Sequence, residues 1–251
     1  MLLNKYRKII SIAISLLLWQ GLAMLWHNRI LLVGPIEVVQ QLLYLLGQTF
    51  YWQSLTNTNI RILLALFLAM LFGIVLAMLA NSSKILETLL WPYVSAIKAS
   101  PLASVVVLSI VWVGTVNLSV LSIFLIVFPI VYGNILEALR SVDPAVQQML
   151  QLYKVPFWRR VRVLYVPHTM PFLLSTCKIA VGMAFKAGVA AELIGLPKHT
   201  VGSYLYEAKI YLSTADLFAW TFSIVLISML AEKVLLYVLH RSYQLVLGKR
   251  G

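Results

Sequence analysis

Carboxylates are scarce in this chain: eight acidic residues in 251, and charged residues of both signs make up only 11%. Soluble domains carry roughly a quarter charged residues, so an ordinary soluble domain is excluded. With so few carboxylates in the apolar runs, a relay of acidic groups for protons or sodium is hard to assemble. Cysteine is nearly absent as well. Cys177 is the single one, which excludes an intrachain disulfide and a cysteine-based metal cluster. It lies in an apolar run and reads as a small packing residue. His27, His168, His199 and His240 are far apart in the sequence, so a metal site is not expected. There is no G-x-x-x-x-G-K-[ST] phosphate loop, so the chain cannot hydrolyse ATP by that route, and no ATP or other cofactor is expected on it. H-E-x-x-H and G-x-S-x-G are missing too, and no catalytic constellation replaces them, so a membrane-embedded enzyme has no support.

What is abundant is apolar and basic. Hydrophobic residues make up 61%, mean hydropathy is +0.91 and the formal net charge is +12. The basic residues are scattered around apolar runs rather than gathered on one face, which speaks for positive-inside membrane topology and against nucleic acid. Apolar segments at about 9–26, 59–80, 85–113, 118–136, 172–191 and 216–239 predict an all-α membrane protein with six transmembrane helices, one transmembrane domain over 1–251. Lys5, Arg7 and Lys8 before the first run also suit a signal peptide. No small-x-small cleavage pattern follows, so an uncleaved first helix is expected. Pro35 to Leu46 reads as an amphipathic helix at the outer interface, with Tyr51 and Trp52 as anchors. Val201 to Tyr211 reads as a second short outer helix. Both termini and the 138–171 loop then lie in the cytoplasm with most of the basic residues, Lys84, Arg140, Arg159, Arg241, Lys249 and Arg250 among them. Arg29, Arg61, Lys198 and Lys209 remain outside.

Two spans are irregular. Lys98 to Pro101 interrupts the third, and proline in mid-crossing kinks or breaks a helix. Lys98 either lines a cavity there or snorkels to the cytoplasmic interface. The fifth carries Lys178 and Lys186 among small residues such as Gly182, Ala184, Ala187 and Gly188. The lysines are eight residues apart, about 12 Å along a helix and roughly on one side. Two cations against lipid are unfavourable, so that face is expected to look into a bundle or a water-filled path. Lys186 is the candidate path cation, and Lys178 suits a structural pairing. Glu192, at the end of this span, is expected to hold the following loop by capping or by pairing with a lysine.

The longest stretch unlike a membrane span runs from Ala138 to Pro171. Asp143 followed by Pro144 is a helix start, an N-cap carboxylate and then proline at the first helical position. Asp143, Gln147, Gln151 and Lys154 recur on one face; Val142, Ala145, Val146, Met149 and Leu152 fall mostly on another. A break at Lys154 to Pro156 leads to a second short helix, Phe157 to Tyr165, which Pro167 is expected to end. His168 beside that proline reads as a solvated loop residue.

This stretch resembles the cytoplasmic EAA loop of ABC importer permeases, nearest to the nitrate/sulfonate/taurine branch of the binding-protein-dependent family. Leu139-Arg140-Ser141-Val142-Asp143-Pro144, then Arg159-Arg160-Val161 with Pro167 and Pro171, follow that family's pattern in order. Lys98-Ala99-Ser100-Pro101-Leu102 and Ala190-Ala191-Glu192-Leu193-Ile194-Gly195 extend the likeness from about Leu31 to about Tyr243. One departure stands out: the family's characteristic glycine falls at or next to Lys154. The resemblance implies a type I importer permease in the bacterial inner membrane, non-catalytic itself. It implies a second permease subunit, expected as a homodimer, two ATPase subunits docked on the cytoplasmic loops and a solute-binding protein outside. It also implies a small solute, an anion such as a sulfonate, taurine or nitrate. Val142, Asp143, Val146, Met149, Leu150, Tyr153, Lys154 and Phe157 are then the candidate ATPase-coupling residues, and Lys98, Pro101 and Lys186 the translocation-path candidates. An interfacial helix drawn by its arginines to anionic lipid is the other reading of the loop. A self-contained secondary transporter or channel remains the alternative function; it would need an internal repeat or intramembrane carboxylates, and neither is evident.

Overall fold

The computed structural model describes residues 2–26 and 31–247. His27, Arg29, Lys249 and Arg250, and the side chains of Lys5 and Lys8, lie outside the described residues. Helices follow one another throughout: α1 (Leu2–Trp26), α2 (Pro35–Leu46), α3 (Thr49–Ser82), α4 (Lys84–Ala99), α5 (Leu102–Val113), α6 (Leu118–Arg140), α7 (Pro144–Leu152), α8 (Phe157–Arg160), a π-helical turn (Val161–Tyr165), α9 (Val166–Gly195), α10 (Val201–Ile210) and α11 (Thr214–Leu247). Four stretches are long and apolar enough to cross a membrane: Thr49–Ser82, Leu118–Arg140, Phe157–Gly195 and Thr214–Leu245. α4 and α5 qualify together as a broken fifth, bent by 110°. The first expected span falls on α1, where Ile10–Leu25 is a shorter apolar helix.

The core is a clasp of three helices. α6 is the most enclosed of the crossing helices, lying between α3 and α9. Both neighbours present small residues to it: Ala65, Ala69 and Ala77 on α3, and Ala180, Ala184 and Ala187 on α9, are all buried. Gly73 sets the closest approach of α3. A Cβ there would lie 2.8 Å from Val131 Cβ and 3.2 Å from the Tyr132 backbone nitrogen. Gly188 is a close contact of α9, where a Cβ would lie 2.8 Å from Ile123 Cδ1. Small residues at such contacts let backbones approach and gain dispersion where lipid offers no hydrophobic drive.

Several expectations change in detail. The helix carrying the second span starts at Thr49, ten residues before the apolar run, because a polar helical stub continues it. Tyr51, expected as an interfacial anchor, is buried; its hydroxyl is 2.7 Å from Ser223 Oγ and its ring is 4.9 Å from that of Trp220. Trp52 stays exposed. The helix does not stop at Pro167. The π-helical turn precedes it, and the Val166 N–H reaches back to Val161 O. A widened turn accommodates the missing donor and the ring, so the chain runs on from Phe157 to Gly195. His168 accordingly sits inside α9, with Nε2 2.9 Å from Ser141 Oγ.

If the clasp depends on backbone approach, Gly73→Ala destabilises by about 1–3 kcal/mol through overpacking. Gly182→Ala, where a Cβ meets nothing within 4 Å, leaves stability unchanged or raises it. Thermal unfolding in detergent checks both; equal midpoints for the two variants contradict the packing account.

Candidate functional site

The α7–α8 hairpin is built from its caps. Asp143 Oδ1 accepts from the Ala145 N–H at 2.8 Å and Pro144 opens α7, as expected. At the other end the Lys154 N–H donates to Gln151 O at 2.9 Å and the Val155 N–H to Leu150 O at 3.0 Å. These are the two bonds of a Schellman cap, whose residue after the C-cap takes the left-handed conformation that glycine favours. Lys154 holds it with φ +50°. The turn at the family's glycine position is therefore kept with a lysine in it.

The hairpin leaves an apolar cluster open. Leu152, Tyr153 and Trp158 are each about four-fifths exposed, and Phe157 and Met149 are exposed too. Val146 and Leu150 are half-buried, and Asp143 and Lys154 exposed. Val142 faces the other way: it is 2% exposed, packed under the loop, and offers no outward contact. Leu152 and Trp158 were absent from the sequence-derived set. Leu152 belongs to the apolar face of α7, and Trp158 stands outside the α7 periodicity. The Ser141–His168 hydrogen bond fastens the hairpin's start to α9.

At the same end, Ser83 caps α4 by accepting from the Leu86 N–H, and Glu87 pairs with Arg140 at the end of α6. The elbow between α4 and α5 lies deeper. Lys98 Nζ is 3.2 Å from the place a Gly133 Cβ would occupy, seven residues or about 10 Å along α6 from Arg140. Pro101 is the exposed N-cap of α5 in extended conformation. α9 presents Lys178 and Lys186 on its open side, both exposed, with Gly182 between them. Among the described residues neither lysine forms an ion pair. Lys98 sits against α6, and Lys186 is exposed on α9.

The opposite end is closed by α10. Thr200 and Ser203 form a capping box at its start. Glu192, fully buried, accepts from Thr58 Oγ1 at 2.8 Å and from the Gly202 N–H at 3.2 Å. It caps the next helix and, among the described residues, pairs with no lysine. Tyr204 stacks on Trp220 at 5.3 Å, and an open cavity of about 390 Å³ lies beside α10.

Residues 69–244 match the family described as the binding-protein-dependent transport system inner membrane component. The chain belongs to this family. Among its relatives, the taurine transport system permease protein TauC of Escherichia coli is 28% identical over 88% of this chain and 83% of its own. The putative aliphatic sulfonates transport permease protein SsuC of Bacillus subtilis is 26% identical over 82% of this chain and 75% of its own. In fold the chain is similar to a bacterial alginate ABC transporter solved with an alginate pentasaccharide-bound periplasmic protein. That likeness has TM-score 0.62 at 15% identity and covers 97% of this chain and 95% of the other. The chain is thus a permease subunit of an ABC importer, in the nitrate/sulfonate/taurine-type branch, and a multi-pass membrane protein.

The left-handed Lys154 yields a direct check. A left-handed residue other than glycine is disfavoured by about 1–2 kcal/mol, and glycine's extra freedom in the unfolded chain offsets up to about 1 kcal/mol of that. Lys154→Gly is therefore expected to leave the thermal midpoint unchanged or raise it, by the equivalent of about 1 kcal/mol at most. Lys154→Val, whose branched Cβ suits this conformation worst, lowers it. A Val variant as stable as wild type contradicts the cap geometry.

Proposed function

We propose that this permease forms the translocation pathway for a small anion, such as a sulfonate, taurine or nitrate, handed over by a solute-binding protein. ATP is bound and hydrolysed by two partner ATPase subunits, and the chain itself is non-catalytic and needs no cofactor. Two copies line the pathway as a homodimer. Both termini and the α7–α8 hairpin face the cytoplasm, and α2 and α10 face outward.

The observation that carries the reading is the exposed apolar cluster on the hairpin, Met149, Leu152, Tyr153, Phe157 and Trp158. Such a projecting face suits the helix-in-groove mode of docking. Through the π-helical turn the hairpin is continuous with α9, and through Ser141 it is bonded to it. A push on α7 by closing ATPase subunits is therefore delivered to α9 as rigid-body motion. Lys186 on the open side of α9, with Lys98 and Pro101 at the elbow, suits a path for anions, since an exposed lysine there needs water or a counter-charge. The likeness to taurine and sulfonate permeases supports the same class of solute.

Co-purification from native membranes tests the docking. A charge placed at the centre of such an interface costs about 2 kcal/mol or more, so Met149→Asp and Tyr153→Asp lose the ATPase that the wild type retains. Failure of any ATPase to co-purify with wild type moves the secondary-transporter or channel reading to the front. Lys186→Met is expected to lower anion uptake severalfold while assembly is unchanged; normal uptake with the neutral side chain removes Lys186 from the path.

A further inference from the structure

The N-terminal end of α10 is tied to two crossing helices through one buried carboxylate. Glu192 on α9 and Thr58 on α3 are both fully buried. Thr58 Oγ1 donates to Glu192 Oε2 at 2.8 Å and accepts from the Val201 N–H at 3.0 Å. Glu192 Oε2 also accepts from the Gly202 N–H at 3.2 Å. Asn57 Nδ2 adds a bond to His199 O at 3.0 Å. Gly202 is pressed against the carboxylate's own stem: a Cβ there would lie 2.3 Å from Glu192 Cβ. Buried hydrogen bonds of this kind are stronger than they would be in water, and the Glu192 oxygen meets an N–H of the first turn of α10 that has no partner within the helix. One turn along α3 from Thr58, Arg61 Nη1 is buried without a hydrogen-bond partner, as is Glu192 Oε1. The rest of α10 is attached by stacking, with the Tyr204 ring between Trp220 at 5.3 Å and Phe50 at 5.2 Å.

One side of α10 borders an open cavity. Its cavity of about 390 Å³ is lined by Lys198, His199, Ser203, Tyr206, Glu207 and Tyr211 among others. Tyrosines interleaved with hydrogen-bonding and charged groups suit a polar protein surface. We infer that Glu192 is a positioning residue for transport, locking α10 to α3 and α9 so that a solute-binding protein docked over the α10 cavity displaces α9. The inference rests on the importer reading above and adds the element through which docking is felt. With the lock intact, motion of α10 is motion of the helix that carries Lys186. With it cut, α10 yields alone, and docking no longer reaches the ATPase subunits.

The test uses the complete transporter in nanodiscs, reading ATPase activity with and without taurine-loaded binding protein. Thr58→Val removes the shared hydroxyl and keeps the shape, Glu192→Ala removes the acceptor, and Glu192→Gln keeps an amide oxygen able to accept the same bonds. The expected result is unchanged basal hydrolysis, severalfold weaker stimulation in Thr58→Val and Glu192→Ala, and rescue in Glu192→Gln. Should Glu192→Ala fail to assemble, Thr58→Val decides the matter by itself. Wild-type stimulation in Thr58→Val overturns the inference and leaves Glu192 as a helix cap. A wild-type complex that holds its ATPase but ignores every loaded binding protein overturns the importer reading as well, a failure visible before any variant is compared.

Discussion

Apolar side chains gain little from one another when lipid is the alternative, so the fit of α6 between α3 and α9 has to come from contact itself. Everything else in the structure depends on that fit. The alanines and the two glycines at the contacts let backbones close to distances no larger residue permits. α6 then acts as a fixed post. α5 runs beside it, and α4 is pinned to its end through Glu87 and Arg140. α9 is held along the same post while its far side stays open with Lys178 and Lys186.

Polar bonding between elements is concentrated near the helix ends. At one end stand Glu87 with Arg140 and Ser141 with His168. At the other stand Glu192 with Thr58, Tyr51 with Ser223, and Asp216, whose Oδ1 accepts from Gln41 at 2.5 Å. The arrangement follows from the cost of unsatisfied polar groups away from water. It has a mechanical consequence: the bonded ends join neighbouring elements so that force passes between them. α9 is the member attached at both ends, to the α7–α8 hairpin and to α10.

Features set by local chemistry were legible in the sequence. Pro35 to Leu46 is a helix with the expected bounds, Asp143 and Pro144 start α7, and α10 begins at Val201. The order of motifs also led to the right family. Features set by partners far along the chain were not legible. Tyr51 sits at a depth that suits an anchor, yet Ser223 and Trp220, more than 150 residues on, draw it inside. Val142 belongs to the loop's apolar pattern, and only the packing shows that it points inward. Pro167 carries a strong stop signal, and a π-helical turn upstream absorbs it. Lys154 occupies a turn that composition argues against, because the Schellman hydrogen bonds hold the backbone whatever the side chain. Glu192 was read as a cap or a lysine partner. That Thr58 shares it could not be inferred, since nothing local links those two positions.

Uptake of labelled taurine into proteoliposomes tests the central claim most directly, that this chain moves solute only as its hairpin is driven by ATPase subunits. The preparation contains the permease alone, or the permease with its co-purified ATPase and a solute-binding protein on the outward-facing side. The account predicts uptake that requires ATP, the ATPase and the binding protein together, and none from the permease alone under any ion gradient. Uptake by the permease alone, following a proton or sodium gradient, would contradict it.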